Sequence, residues 1–475
     1  MDNSVRWLHA VPPCLISPRQ KPVAGPGILI LQTPLHTQVL HIKDEIDRVA
    51  PQGQWDDAKK ITNTYEYIFL SLQRRMHRSI ASIQPLSRSY FKMIEMWDVL
   101  DLSANRTAHS AEGPGGFLEA IQDRSSKKIP MTAMTLKSTE RTVPGWRKSN
   151  AFLQAHPQIH ITYGFDGTGN LYNLANQDAF AATARPSDIY TADGGFDFSA
   201  DFNGQENTVQ RLLIAEALAG LTTLREGGTM ILKLFDTKNR ATLELMWMLA
   251  TCFDHTGLIK PYTSRPANSE RYWIGSGYRG APDWIITFLR SLTATEAPNG
   301  WNHLFEDAPW FAQNLYWLTD IQLFQEELEA QQFTKIQLTL NLIKSTTREQ
   351  ITALLLENIR NSRAWCLRHR IPQNPAYTGL TDEQIVQQNL EEALVPFQAS
   401  VARTNLLALS RQPLMHRELT TDRSPRPPVA PAWRTALPAS VLGREPSQTY
   451  GDTAASRQTT PTQSPPASGH APGHP

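Results

Sequence analysis

Thr107-Ala-His-Ser-Ala-Glu-Gly-Pro-Gly-Gly-Phe117 is the stretch from which the fold follows. Thr107 to Ala111 is a short strand-like run, the glycines that come next make a tight turn, and a helix is predicted to begin near Phe117. Gly113, Gly115 and Gly116 remove Cβ atoms where the backbone must bend sharply and approach a ligand closely. Glu112 places a negative charge at the strand's carboxyl end. The segment matches neither G-x-G-x-x-G nor a loop ending in Gly-Lys-Ser/Thr, so a ligand without a pyrophosphate is preferred. By itself a strand, a glycine turn and a helix also fits a plain structural turn.

Downstream of this turn the chain repeats the strand and helix alternation. Strand-like runs are predicted at Met131 to Leu136, Ile159 to Tyr163, Asp188 to Ala192, Thr229 to Phe235, Gly257 to Lys260, around Tyr272, and at Trp284 to Phe288. Such alternation is the pattern of an open, mostly parallel sheet covered by helices. The clearest helix follows Asp201: Asn203 with Glu206 gives an N-terminal capping pattern. Ile214, Ala217, Leu218, Leu221 and Leu224 then form an apolar stripe that Gly227 and Gly228 are expected to stop.

Outside this core, residues 1–54 mix prolines with short apolar runs, which predicts extended segments and turns in place of a long helix. Helices are expected from Trp55 to about Leu100, so that 55–295 reads as one domain with leading helices. From Trp301 to Phe397 the spacing of Phe324, Leu328, Ile336, Leu340 and Ile343 predicts a helical region, 296–420, without strands. The tail, 421–475, crowds prolines among Ser, Thr, Gln and Ala and is expected to be disordered.

Bulk properties narrow the function. With 475 residues, 40% hydrophobic and 19% charged, a sizeable core is affordable. A formal net charge of +1 and a pI near 7.8 give no global field for nonspecific nucleic-acid binding, so any RNA would meet a local patch. Cys14, Cys252 and Cys366 are odd in number and far apart, which argues against a disulfide framework or a thiolate zinc site, and no other cluster has metal-ligand spacing. No apolar run approaches the ~20 residues that cross a bilayer. An intracellular protein, cytoplasmic or nuclear, is expected, with no membrane partner.

Two charges stand where charges are unusual. Asp193 ends the apolar run Asp188-Ile-Tyr-Thr-Ala, ahead of Gly194 and Gly195, and Lys233 interrupts Met230-Ile-Leu-Lys-Leu-Phe235. In an open α/β sheet ligands bind at the carboxyl ends of strands, which puts Asp193 in the crevice and Lys233 near it. A buried ammonium needs carboxylates, and Asp193 and Glu270 are available.

The stretches AEGPGGF, ADGGFDF followed by QEN, GGTMILKLFD and KPYTSRPANSERY resemble the FtsJ-like ribose methyltransferases, the last stretch most resembling the cap-1 mRNA enzymes. The resemblance covers roughly Tyr90 to Gly277. It implies a Rossmann-like α/β methyltransferase fold, a mostly parallel seven-stranded sheet with helices on both faces, to which the C-terminal helical region is added. It implies S-adenosyl-L-methionine as cofactor and a Lys-Asp-Lys-Glu tetrad that falls on Lys92, Asp193, Lys233 and Glu270. Glu112, Gly113, Pro114, Gly115, Gly116, Phe117, Asp166 and Asp193 become the cofactor-binding set, with Asp166, from the loop Tyr163-Gly-Phe-Asp-Gly-Thr-Gly169, at the adenosine. Asn207, Gln210 and Asn268 become substrate-binding residues. Glu112 is a departure, since bacterial rRNA members usually carry Asp earlier in the loop.

The implied reaction is methyl transfer from a sulfonium to a ribose 2′-hydroxyl, at the first transcribed nucleotide of a capped mRNA. Lys233 is expected to accept the proton, which requires a pKa well below the ordinary ~10.4, produced by burial and by Lys92 as a second cation. That Lys233 stays protonated and stabilises the alkoxide is the alternative. Lys238, Arg240, Arg265 and Arg271 are candidates for phosphate binding. The rival functions are methylation of rRNA or tRNA, and a noncatalytic scaffold whose helical region or tail recruits capping or transcription machinery.

Overall fold

A computed structural model describes residues 4–14, 17–49, 52–70, 78–140, 143–195, 204–307 and 313–411. The readings placed on Asn203, on residues 196–198 and on the disordered tail lie outside these residues. In chain order the elements are β1 (Arg6–Trp7), β2 (Gln20–Ala24), α1 (His36–Val49), α2 (Gln52–Thr62), α3 (Ser89–Val99), β3 (Thr107–Ser110), α4 (Gly116–Arg124) and β4 (Met131–Met134). Then follow α5 (Asn150–Ala155), β5 (Ile159–Thr162), α6 (Leu174–Ala184), β6 (Ser187–Ala192), α7 (Gln205–Thr223), β7 (Leu224–Leu234), α8 (Arg240–Ala250) and β8 (Phe253–Ile259). The chain closes with β9 (Arg271–Tyr278), α9 (Asp283–Ala294), β10 (Trp301–Phe305), α10 (Leu315–Lys344), α11 (Arg348–Arg368), α12 (Asp382–Leu394) and α13 (Gln398–Arg411).

The main sheet has the order β1-β8-β9-β7-β6-β3-β4-β5. Strands β5, β4, β3, β6 and β7 run parallel to their neighbours, and β9 lies antiparallel between β7 and β8. This is the Rossmann-like α/β arrangement, mostly parallel, with an eighth strand of two residues, β1, added at its edge. Side chains alternate between the two faces along each strand. Met230, Leu232 and Leu234 of β7, with Trp273 of β9, join the core beneath α7, α8 and α9. Ile231, with Tyr272 and Ile274, joins the opposite core with Phe91 and Ile94 of α3 and Phe117 and Ile121 of α4. Period two therefore sends Lys233 and Tyr272 to the α3 face, and their backbones are directly paired.

Several expected elements differ. Trp284 to Phe288 is part of α9: Ile285, Phe288, Leu289 and Leu292 are buried at helical spacing, and that stripe docks against α7. The N-terminal segment contains a 14-residue helix, α1, whose Val39, Ile42 and Ile46 are buried against α10. The helix through Ile214 ends at Thr223, and Leu224, Gly227 and Gly228 belong to β7 instead of stopping the helix. Trp301–Phe305 is a strand paired with β2, not helix. Residues 1–412 form one compact unit. No helix among the described residues is long and apolar enough to cross a membrane.

Candidate active site

The carboxyl ends of β3, β6 and β7 and the loop before β9 converge on one cleft of about 850 Å³. Asp193 and Lys233 line it, with Ala111 and Gly113 of the glycine loop on one side and Arg265, Asn268 and Ser269 on the other. Lys233 Nζ donates to the Asp193 carbonyl at 2.7 Å and sits 3.3 Å from Asp193 Oδ1. Lys92, reaching in from α3, donates to Glu270 Oε2 at 2.9 Å and lies 3.9 Å from Asp193 Oδ1. The four side chains drawn from four distant segments thus form one ionic cluster, each only 10–12% exposed. At that burial the charges act at a low effective dielectric.

Tyr272 is the residue that sequence reasoning passed over at the centre of this cluster. Its hydroxyl donates to Asp193 Oδ1 at 2.8 Å and accepts from Lys92 Nζ at 3.0 Å, so it ties the two halves together. Its place directly opposite Lys233 across β7 and β9 is what brings it here, a register that the sequence alone does not display. Ser264 Oγ donates to the other Glu270 oxygen at 2.7 Å. Lys260 donates to the Glu270 carbonyl at 2.6 Å and to Asn268 Oδ1 at 2.7 Å, fixing the turn from which Glu270 projects.

The electrostatics correct one expectation. Burial pulls the Lys233 amine down, but Asp193, Glu270 and Glu216 together outweigh it and hold the pKa above the ordinary lysine value. Lys92, the cation expected to oppose them, is itself paired with Glu270. Glu270, although buried, is held well below the usual carboxylate range by Lys92, Lys233 and Lys260. The resting cluster is therefore ionic, with Lys233 as a cation.

The glycine loop divides its labour. Ala111 and Gly113 face the cleft. A Cβ on Gly116 would meet Ser89 Oγ at 2.2 Å, so this glycine lets the loop pack on α3, the helix that carries Lys92. Gly115 has φ of 104°, which disfavours any side chain there, and Phe117 is buried with its ring 6.0 Å from that of Tyr272. Pro114 accepts a hydrogen bond from Ser149. Glu112 accepts from Thr191 Oγ1 at 2.6 Å, while its other oxygen, Oε2, is buried with no partner among the described residues. An unpartnered buried carboxylate oxygen beside the cleft fits the positive end of a ligand.

Other expected site residues lie elsewhere. Asp166 is exposed and closes its own turn, accepting from Thr168 and from Asn173; Gly169, Asn170, Leu171 and Tyr172 line the cleft instead. Asn207 does not line the cleft: its oxygen accepts from Gly27 N and Asn239 Nδ2. Gln210 is buried, bonded to Trp301 N and Thr242 Oγ1, and serves packing. Asn268 is on the cleft, exposed. Lys238, Arg240 and Arg271 are consumed by internal partners, Glu329, Glu244 and Asp236 respectively, whereas Arg265 lines the cleft while paired with Glu66. Further cleft residues come from helices that the sequence reading did not connect to the site: Lys43 and Ile46 of α1, Trp55, Asp56 and Lys59 of α2, and Gln332 and Ile336 of α10. Lys43 is buried, and burial lowers its pKa.

Residues 85–278 match the FtsJ-like methyltransferase family. Among relatives, the chain is 32% identical over 235 residues to a cap-specific mRNA (nucleoside-2′-O-)-methyltransferase 1 of Trypanosoma cruzi, covering 48% of this chain and 63% of that protein. The protein of the same name in Leishmania braziliensis is 30% identical over 248 residues, covering 50% and 61%, and that of Homo sapiens 33% over 187 residues, covering 37% and 22%. The chain thus spans less than two thirds of the length of these relatives. Of solved structures, a ribosomal RNA methyltransferase from Plasmodium falciparum is similar with a TM-score of 0.29 and 17% identity, over 41% of this chain and 99% of that one.

Proposed function

With an FtsJ-like methyltransferase domain at residues 85–278 as the premise, we propose that the chain transfers a methyl group from S-adenosyl-L-methionine to the 2′-hydroxyl of the first transcribed nucleotide of capped mRNA. The observation that carries this is the convergence of Lys92, Asp193, Lys233, Glu270 and Tyr272 beside Gly113 and the unpartnered oxygen of Glu112. Bound in this cleft, the cofactor supplies an electrophilic methyl on sulfur. Glu112 suits its ammonium, and Gly169 to Tyr172 line the same cleft.

The chain's own residues do the rest. Asp193 and Glu270 hold two amines in fixed positions around one point, and the hydroxyl placed there is oriented for attack. Lys233, charged and desolvated, donates toward the oxygen as negative charge develops on it, which is electrostatic stabilisation by a preorganised group; the O–CH3 bond forms as the S–CH3 bond breaks, and the hydroxyl proton leaves to solvent. Lys43, Lys59 and Arg265 also line the cleft, and their positive charge suits phosphates on the 5′ side of that ribose. The names of the relatives support a capped mRNA end as substrate. Attachment to capping machinery through α10 to α13 belongs to the same proposal.

The test is methyl transfer to otherwise identical capped and uncapped transcripts, with the methylated nucleotide located by mass spectrometry. Methylation of the first nucleotide on the capped RNA alone is expected. Lys233→Ala should lower kcat by roughly 10²–10³-fold, the effect of removing a group that stabilises a developing oxyanion, with cofactor affinity little changed. Equal rates on both RNAs would remove the cap from the proposal.

A further inference from the structure

A buried acid beside the cleft has no part in the mechanism. Glu216 of α7 is 2% exposed, and its Oε1 has no hydrogen-bond partner among the described residues. Its carboxyl lies directly beneath Gly194, which lines the cleft: a Cβ on Gly194 would meet Glu216 Oε1 at 2.1 Å and the Cβ of Ala111 at 3.0 Å. Glu216 is also among the charges that act on Glu112, the residue after Ala111, whose own Oε2 is likewise buried and unpartnered among the described residues. Two orphaned carboxyl oxygens thus lie behind the part of the cleft that Ala111 and Gly194 line.

The charges around this part of the cleft do not balance. Asp193 and Lys233 face both acids. Lys92 is bonded to Glu270 and lies farther, 3.9 Å, from Asp193. The remaining polar neighbours are the Thr191 hydroxyl on Glu112, the Gly194 N–H on Glu216, and phenols: Tyr190 facing both acids, Tyr172 facing Glu216 and Tyr272 facing Glu112. Among the described residues, Lys233 is the cation that acts on both Glu112 and Glu216, and Asp193 and Glu270 draw on the same ammonium, in a region too dry to hold the excess negative charge. Like charges in such a site keep a proton between them. Burial and Asp193 push Glu112 well above the ordinary carboxylate range, and burial pushes Glu216 up to about 8.

We propose that Glu216 is the second carboxyl of the methyl donor's ammonium pocket, and that arrival of the ammonium drives off one proton that Glu112 and Glu216 hold between them. The O–H bond of the shared carboxyl breaks, its proton passes to buffer, and the ligand's ammonium replaces it as counter-charge. This rests on the methyltransferase reading.

Isothermal titration with S-adenosylhomocysteine, which keeps the ammonium and lacks the sulfonium, tests it without turnover. At pH 7, heats in phosphate and in Tris should differ by the release of about one proton per nucleoside bound. Methylthioadenosine, which lacks the ammonium, should release none. Affinity for S-adenosylhomocysteine should weaken by up to about tenfold per pH unit as pH falls below about 8. Glu216→Gln mimics the protonated acid, so it should fold; it should bind about tenfold more weakly and release less. The double variant Glu112→Gln with Glu216→Gln should release nothing. Binding to the native chain without proton release overturns this inference alone, as does unchanged release or affinity in Glu216→Gln. Failure of both nucleosides to bind overturns the methyltransferase reading with it.

Discussion

Lys233 shows how far a single residue can be understood from its neighbours in sequence. An amine in the apolar run Met230 to Phe235 had to be buried, and alternation put it on the face with Ile231 and away from Met230 and Leu232. Asp193, two residues beyond Thr191 and four beyond Ile189, follows the same parity from β6. Which protonation state Lys233 takes was not legible, because it depends on the sum over Asp193, Glu270 and the unforeseen Glu216. Asn207 and Gln210 were misplaced for a related reason: amides serve packing and ligands with the same chemistry, and only the partner, Gly27 N or Trp301 N, distinguishes them. Glu66 carries a prediction at this scale. Burial by itself would raise its pKa, but Arg88 and Arg265 bring the carboxyl down to about 2. The folded state thus holds this proton more weakly than the unfolded one, whose value is near 4.5. The stabilisation is complete above pH 4.5 and is lost as pH falls from there toward 2. Over that shift it amounts to about 3 kcal/mol. Urea unfolding of Glu66→Gln should show a loss of roughly that size at pH 7 and a flatter acid limb; a variant that tracks the native chain through pH 3 would refute it.

Among the elements, the parallel strands were readable and the helices around them less so. Strand runs bounded by Gly and Asp stand out against amphipathic stretches, and β3 to β7 lie within a few residues of their expected places, although β7 starts earlier. Trp284 to Phe288 failed because a five-residue apolar run fits a strand or one side of a helix equally; only the continuation through Leu289 and Leu292 separates them. α1 was hidden behind the prolines that precede it, and with it went Lys43. α3 is the element on which the tetrad depends twice. Lys92 reaches Glu270, and one turn later Glu95 accepts from Tyr262 N and Thr263 N, both at 3.0 Å, and from Thr263 Oγ1 at 2.6 Å. The helix thereby grips the start of the loop whose Ser264 and Glu270 complete the site. Glu95→Ala leaves those N–H groups buried and the loop unanchored. We expect kcat to fall by about 10–10²-fold, the cost of a displacement of about 1 Å at the chemistry, with S-adenosylhomocysteine affinity unaltered. Single-turnover rates equal to the native chain's would show that the loop is held by something else.

At the scale of the whole molecule, the formal charge of +1 leaves RNA affinity to the cleft. Its cations outside the tetrad are Lys43, Lys59 and Arg265, from three parts of one compact unit. They are not equivalent. Lys59 pairs with Asp56 on its own helix and Arg265 with the buried Glu66, while Lys43 lies within a buried network with Asp236, Lys238 and Glu329. A protein that neutralises few phosphates releases few counterions, so its affinity for single strands depends weakly on salt, with a log–log slope of about −0.7 per phosphate. Three cations at most therefore set a slope of about −2 for a short capped RNA, and partial occupation by Asp56 and Glu66 makes it shallower. Lys43→Ala should remove about 0.7 from that slope and weaken capped and uncapped RNA alike if it meets a backbone phosphate. If only the capped RNA weakens, Lys43 instead meets the cap. Fluorescence anisotropy across a salt series measures both quantities. A slope steeper than about −4 could not come from this cleft, and would mean that basic residues beyond it grip the transcript.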